Sequence, residues 1–136
     1  MRLYLVEFAG KFEMELSRLT DQEDVKLFME DMSIKQSAQQ RLTRLAYETL
    51  GYISFFTVGS DEVRAWNIVN GSIAVKAAET IHTDLARGFI RAECFSCDDL
   101  MECGSEKSVR EKGRSRLEGK DYVVQDGDII NIRFHV

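Results

Sequence analysis

A chain of 136 residues has the length of one domain, or of one domain with an appendage, and can bury on the order of two thirds of its unfolded surface. Its 44% hydrophobic and 30% charged residues are ordinary for a globular protein, and the formal charge of -5 excludes an overall basic nucleic-acid binder while leaving room for a local positive patch. No apolar run approaches the roughly 18 to 20 residues of a membrane span, and charge enters the opening stretch too early for a secretory signal, so the expected location is the cytoplasm.

The first fifty residues read as one short strand followed by helices. Leu3, Leu5 and Phe8 lie in a β-prone opening segment. Thr20 and Glu23 form a T-x-x-E capping box ahead of Val25, Phe28, Met29 and Met32, which share one helical face. Ser37 and Gln40 form a second box before Leu42, Leu45, Ala46, Thr49 and Leu50, and Gly51 is a natural stop. The Met and Leu stripes of both helices read as core.

From Tyr52 the period changes from helical to alternating. Residues 52–58 and 63–69 are rich in β-branched and aromatic side chains, and Gly59, Ser60 and Asp61 between them make a hairpin. Asn70-Gly71 breaks the second strand, and Ser72 is placed to cap a short helix through Ile81 whose Ala74, Ala77 and Ala78 let it lie close on a sheet. Residues 89–95 return to strand. The run from Leu117 to Val136 reads as two strands around Asp126-Gly127-Asp128. In the last strand Ile130, Ile132, Phe134 and Val136 point to a core, and Asn131, Arg133 and His135 to water. A hairpin, a crossing helix and further closing strands define an α+β protein of the β-grasp, or ubiquitin-like, kind, with a division at residues 1–50 and 51–136.

Candidate chemistry is sparse. Cys94, Cys97 and Cys103 are an odd number of cysteines within ten residues, which is not a disulfide framework. As a zinc site they lack a fourth partner at a familiar spacing, and Glu93, Asp98 and Asp99 oppose the low thiol pKa that a redox C-x-x-C needs, so no metal is expected. The four cysteines of a β-grasp ferredoxin and the terminal Gly-Gly of a sulfur carrier are also missing. His82 reads as a helix-end residue, His135 as a surface residue, and nothing forms a Ser-His-Asp constellation. Lys107, Arg110, Lys112, Arg114, Arg116 and Lys120 form a positive stripe in an otherwise acidic chain, and with Arg133 and His135 they are the candidate surface for RNA or a partner.

Several runs carry a family resemblance. Gly71 to Leu85 and Asp126-Gly127-Asp128-Ile129-Ile130 look like the TGS domain, a β-grasp module. Phe55-Phe56-Thr57-Val58-Gly59, Glu62-Val63-Arg64-Ala65-Trp66, Ile81-His82-Thr83-Asp84 and Arg87-Gly88-Phe89-Ile90-Arg91-Ala92-Glu93 resemble, nearly residue for residue, the C-terminal part of the YchF-type, Obg-like P-loop ATPases. Leu117 to Asp128 extends that similarity, which covers almost the whole chain. The resemblance implies a TGS-like binding module associated with ribosomes or structured RNA, with no DNA specificity and no membrane partner. It also implies that residues 5–16 are similar to the end of a G domain, where Ala9, Gly10 and Lys11 match a loop that touches the nucleotide base. The family's phosphate-binding G-x-x-x-x-G-K-[ST] loop does not occur in these 136 residues, so ATP or GTP with magnesium is expected only on a G domain, and this chain is expected to be non-catalytic. The alternative the resemblance allows is a regulatory fragment that works only when docked on a P-loop domain, in cis or in trans.

Overall fold

The computed structural model describes residues 5–59 and 61–135. The chain divides into two compact units, Met1–Leu50 and Gly51–Val136.

The first unit holds three helices: α1 (Gly10–Leu16), α2 (Gln22–Asp31) and α3 (Ala38–Leu50). Residues 5–9 pair with no strand, and Leu5 and Phe8 are exposed, while Leu3 and the rest of the expected opening strand lie outside the described residues. The cap of α2 is Asp21 rather than Thr20: its carboxylate accepts from the Glu23 amide at 2.7 Å. An ionised acceptor one residue closer to the helix wins over a hydroxyl. The Ser37–Gln40 box forms in both directions, with the Gln40 amide donating to Ser37 Oγ at 3.2 Å and the Ser37 amide to Gln40 Oε1 at 3.0 Å. Gly51 then takes a left-handed φ of 69° and ends α3. The apolar stripes make a thinner core than expected. Phe12 is buried and stacks on Phe28 with ring centroids 5.0 Å apart, but neither α2 nor α3 buries any residue in full.

The second unit is a five-stranded mixed sheet in the order β2-β1-β5-β3-β4. β1 (Tyr52–Val58) and β2 (Val63–Val69) form the expected hairpin. β3 (Phe89–Ser96) pairs antiparallel with β4 (Arg116–Glu118) and with β5 (Asp128–Phe134), and β5 lies parallel to β1. Helix α4 (Ala74–Ile81) crosses one face of this sheet, and its buried Ala77 and Ala78 sit against Ile53, Phe55, Ile68, Ala92, Cys94 and Ile130. The protein is therefore of the α+β class, with the hairpin, crossing helix and closing strands expected of a β-grasp unit.

Three local expectations change. Ser72 does not cap α4; the N-cap is Ile73, and the freed helix amides of Ala74 and Val75 donate to the carbonyls of Tyr122 and Lys120 at 2.8 and 3.3 Å. The loop before β5 thus takes the place of a capping side chain. The first strand of the C-terminal pair is only the three residues of β4, and residues 119–127 run as turns with a single bridge from Val123 to Ile73. Finally, β5 does not have one dry and one wet face along its length. Ile129 and Ile130 are both buried, because the connection from β3 to β4 folds back as α6 (Cys97–Cys103) and α7 (Glu106–Glu111) and covers one end of the second face with Val109 and Leu100. Phe134, expected inside, is 47% exposed at the end of the sheet, and Val136 lies outside the described residues.

Gly88, entering β3, is required by close approach. The His135 amide donates to the Gly88 carbonyl at 2.9 Å, and a Cβ on Gly88 would stand 2.3 Å from the His135 carbonyl oxygen. Backbone cannot yield as a side-chain tip can, so Gly88→Ala is expected to lower stability by about 1–3 kcal/mol. An unchanged urea midpoint for this variant would contradict the packing described.

Candidate functional site

The positive stripe folds into an ion-pair network built on the α6–α7 insertion. Ser96 and Asp99 close a reciprocal capping box on α6, and Ser105 caps α7 through the Ser108 amide. These caps fix the insertion so that Arg110 turns back toward the sheet and Arg114 toward α6. Arg110 donates to Glu93 on β3 at 2.6 Å and to Glu106 at 3.0 Å. Glu93 also accepts from Ser115 Oγ at 2.9 Å and from Arg133 at 3.3 Å. It is 6% exposed, and burial pushes its pKa up, but the hydrogen bonds from Arg110, Ser115 and Arg133 outweigh that and hold the carboxyl below its ordinary range. Arg114 bridges Asp99 and Glu102, at 3.0 Å to the former. The Ser96 hydroxyl, together with Arg114, lowers the pKa of Asp99, and Arg114 does the same to Glu102.

On the other face of the sheet a second buried carboxylate organises the end of the chain. Asp128 is 2% exposed and accepts from the Tyr122 hydroxyl at 2.8 Å and from the Gln125 amide at 2.9 Å, with Arg116 3.6 Å away. Arg116 also donates to the Tyr122 hydroxyl at 3.1 Å and lies over its ring. Burial, with Asp128 beside it, raises the Tyr122 pKa. The preceding turn is tied down as well: Asp126 accepts from the Ser54 amide and the Gly127 amide donates to the Ser54 carbonyl, both at 2.8 Å, with Gly127 at a φ of 82°.

The cysteines fall on opposite sides of the sheet. Cys94 is fully buried in the cluster under α4, whereas Cys97 and Cys103 pack at the edge of the cluster under the insertion. Burial, with Asp128 and Glu118 nearby, pushes the Cys94 thiol up to about 12, and burial followed by Asp98 raises that of Cys97. Among the described residues no group of three His, Cys, Asp or Glu side chains is arranged to hold a metal ion. His82 sits at a helix end, ending α4 and capping α5 (Thr83–Arg87), where its Nδ1 accepts from the Asp84 amide at 3.1 Å. Ala9 is the N-cap of α1, Gly10 its first residue, and Lys11 reaches Glu15 at 4.0 Å.

The structure therefore sorts the candidate cations by partner. Arg110, Arg114, Arg116 and Arg133 lie against carboxylates, and Lys107 is within 3.8 Å of Glu111 at the surface. Lys112 and Lys120 are exposed and make no ion pair among the described residues. Sequence reasoning does not single out two residues of this surface. Glu93, the acceptor at its centre, and Arg91, directly opposite Arg133 in the β3–β5 register, both lie on the predicted strand at 89–95, where strand residues next to core positions carry no mark of function.

Comparison with known proteins defines the class. Residues 52–135 match the family model YchF-GTPase_C, described as a protein of unknown function (DUF933). The chain is 43% identical over 132 residues to the ribosome-binding ATPase YchF of Haemophilus ducreyi and 42% identical to that of Bacillus subtilis, covering 97% of this chain and 36% of each relative. Obg-like ATPase 1 of Xenopus laevis is 42% identical over 131 residues, 96% of this chain and 33% of that protein. The solved structure of the Schizosaccharomyces pombe YchF GTPase superposes with a TM-score of 0.79 at 33% identity, over 90% of this chain and 32% of that one. The chain belongs to the YchF family of Obg-like ATPases and corresponds to its C-terminal region. It spans about a third of the length of these relatives. No helix among its described residues is long and apolar enough to cross a membrane.

Two measurements check the electrostatics. A glutamate whose folded pKa is depressed stabilises the fold above its unfolded value, near 4.3, and that contribution disappears as the pH falls through the lower, folded value. Glu93→Gln is accordingly expected to cost about 1–3 kcal/mol at pH 7 in urea unfolding and to flatten the loss of stability below about pH 4. Equal sensitivity to acid in variant and parent would remove Glu93 from this role. For the thiols, Cys97 and Cys103 are expected to react with a disulfide reagent at pH 8 in the native state, and Cys94 only after denaturation; immediate titration of all three would contradict its burial.

Proposed function

We propose that the chain acts as a non-catalytic binding module, TGS-like in character, through which a YchF-type ATPase associates with the ribosome or with structured RNA. The observation that carries this reading is the family membership of residues 52–135 together with relatives named as ribosome-binding ATPases. The arrangement of charge supports it: paired carboxylates neutralise the arginines that build the insertion, and the lysines at 107, 112 and 120 remain at the surface of a chain whose net charge is -5. Short, local contacts with phosphate suit such a chain better than a broad basic face. In this reading ATP or GTP with magnesium belongs to a P-loop domain acting in cis or in trans, and Ala9, Gly10 and Lys11 are the residues here that would approach its nucleotide.

Co-sedimentation with ribosomes purified from Bacillus subtilis tests the proposal. Binding is expected at low salt and should weaken steeply between about 50 and 200 mM salt, as counterions displaced from phosphates are no longer released at a gain. Absence of binding at the lowest salt would overturn it.

A further inference from the structure

Beyond the end covered by α6 and α7, the second face of the sheet is open. On it Arg91 and Arg133 stand directly opposite one another across β3 and β5, a register in which like charges repel. A carboxylate answers only one of them, and it is shared: Glu93 takes Arg133 at 3.3 Å and Arg110, from the insertion, at 2.6 Å. Arg91 makes no ion pair among the described residues and is exposed. Its guanidinium lies over Gly119, where an added Cβ would come within 3.3 Å of the terminal nitrogen, so glycine leaves open the space that the arginine occupies. The crossing is set by a bulge. Between Phe89 and Arg91 the register shifts, so Phe89 points into the core under α4 while Arg91, only two residues on, faces the other way with Arg133. His135 is two residues beyond Arg133 and is also exposed.

We propose that the Arg91–Arg133 pair on the open sheet face is the contact through which this module grips the phosphate backbone of structured RNA. The inference rests on the ribosome or RNA association proposed above and names the surface for it. Arg91 has no carboxylate among the described residues and Arg133 has only a share, at 3.3 Å, in the Glu93 that Arg110 holds at 2.6 Å, so the two arginines at these opposite positions leave a demand for anionic oxygen, and the planar fork of arginine matches a phosphate. Elsewhere that demand is already met: Arg110 and Arg114 each hold two carboxylates. A phosphate bound by Arg91 and Arg133 offsets the like charge that the register sets in opposite positions.

The test compares the parent chain with Arg91→Gln, Arg133→Gln and, as a control on the other side of the hairpin, Arg64→Gln. Affinity is measured across salt for ribosomes purified from Bacillus subtilis and for the deproteinised ribosomal RNA extracted from them. Arg91→Gln touches neither Glu93 nor the core, and thermal unfolding is expected to show it folded. It should weaken binding to both probes roughly three- to tenfold and reduce the salt slope by about 1, Arg133→Gln should do the same, and Arg64→Gln should do neither. Parent-like binding by Arg91→Gln overturns the surface and leaves the module's association standing. Weaker binding to ribosomes with parent-like binding to the RNA, or with an unchanged salt slope, makes the contact a protein one and also overturns it. Failure of the parent chain to bind either probe removes the association itself and this inference with it.

Discussion

The last strand of the second unit lies in the middle of its sheet, and the rest of that unit depends on its insertion. β5 is parallel to β1 and antiparallel to β3, so the hairpin at one side and the β3–β4 pair at the other are joined only through residues 128–134. Its start is held by the Asp126–Gly127 turn on Ser54, by Asp128 buried on Tyr122 and Gln125, and by Ile129 and Ile130 in separate apolar clusters on the two faces. The contacts between β1 and β5 close a loop of about seventy residues, so most of the chain of this unit must be present before its core can close.

A second consequence concerns charge. Cations that read in sequence as a binding stripe are largely structural: Arg110 ties the insertion to the sheet through Glu93, Arg114 ties the turn after α7 back to α6, and Arg116 closes on Asp128. A guanidinium paired to a buried carboxylate has little to give a phosphate, because release would leave the carboxylate buried and unpaired. The residues available to a partner are therefore those left out of these pairs. That division leaves the exposed lysines, Arg91, which no run of basic residues marks, and Arg133, which can turn from Glu93 without leaving that carboxylate unpaired because Arg110 holds it at 2.6 Å.

Elements with strong local signals were legible. Alternation from Tyr52 to Val69, the Ser37–Gln40 box and the alanine face of α4 each carried their own evidence, and the family resemblance in the runs at 55–66 and 81–93 matches the family found by comparison. The misread positions are those where a distant segment competes with a neighbour. Ser72 loses its capping role because carbonyls at residues 120 and 122 reach the α4 amides first. Ile129 is buried because an insertion some twenty to thirty residues earlier in the chain folds over it, and Phe134 is exposed because the sheet ends there.

Residue order by itself determined the class, the crossing helix and the family of this chain, since hydrophobic period, turn residues and near-identical runs are local properties that survive without a structure. Tertiary structure decided which charges are spent and which are free. Ion pairing is set by distances across strands and between elements: Glu93 is seventeen residues from Arg110 and forty from Arg133, and Arg91 meets Arg133 only after the bulge at Phe89–Arg91 sets the register of two antiparallel strands.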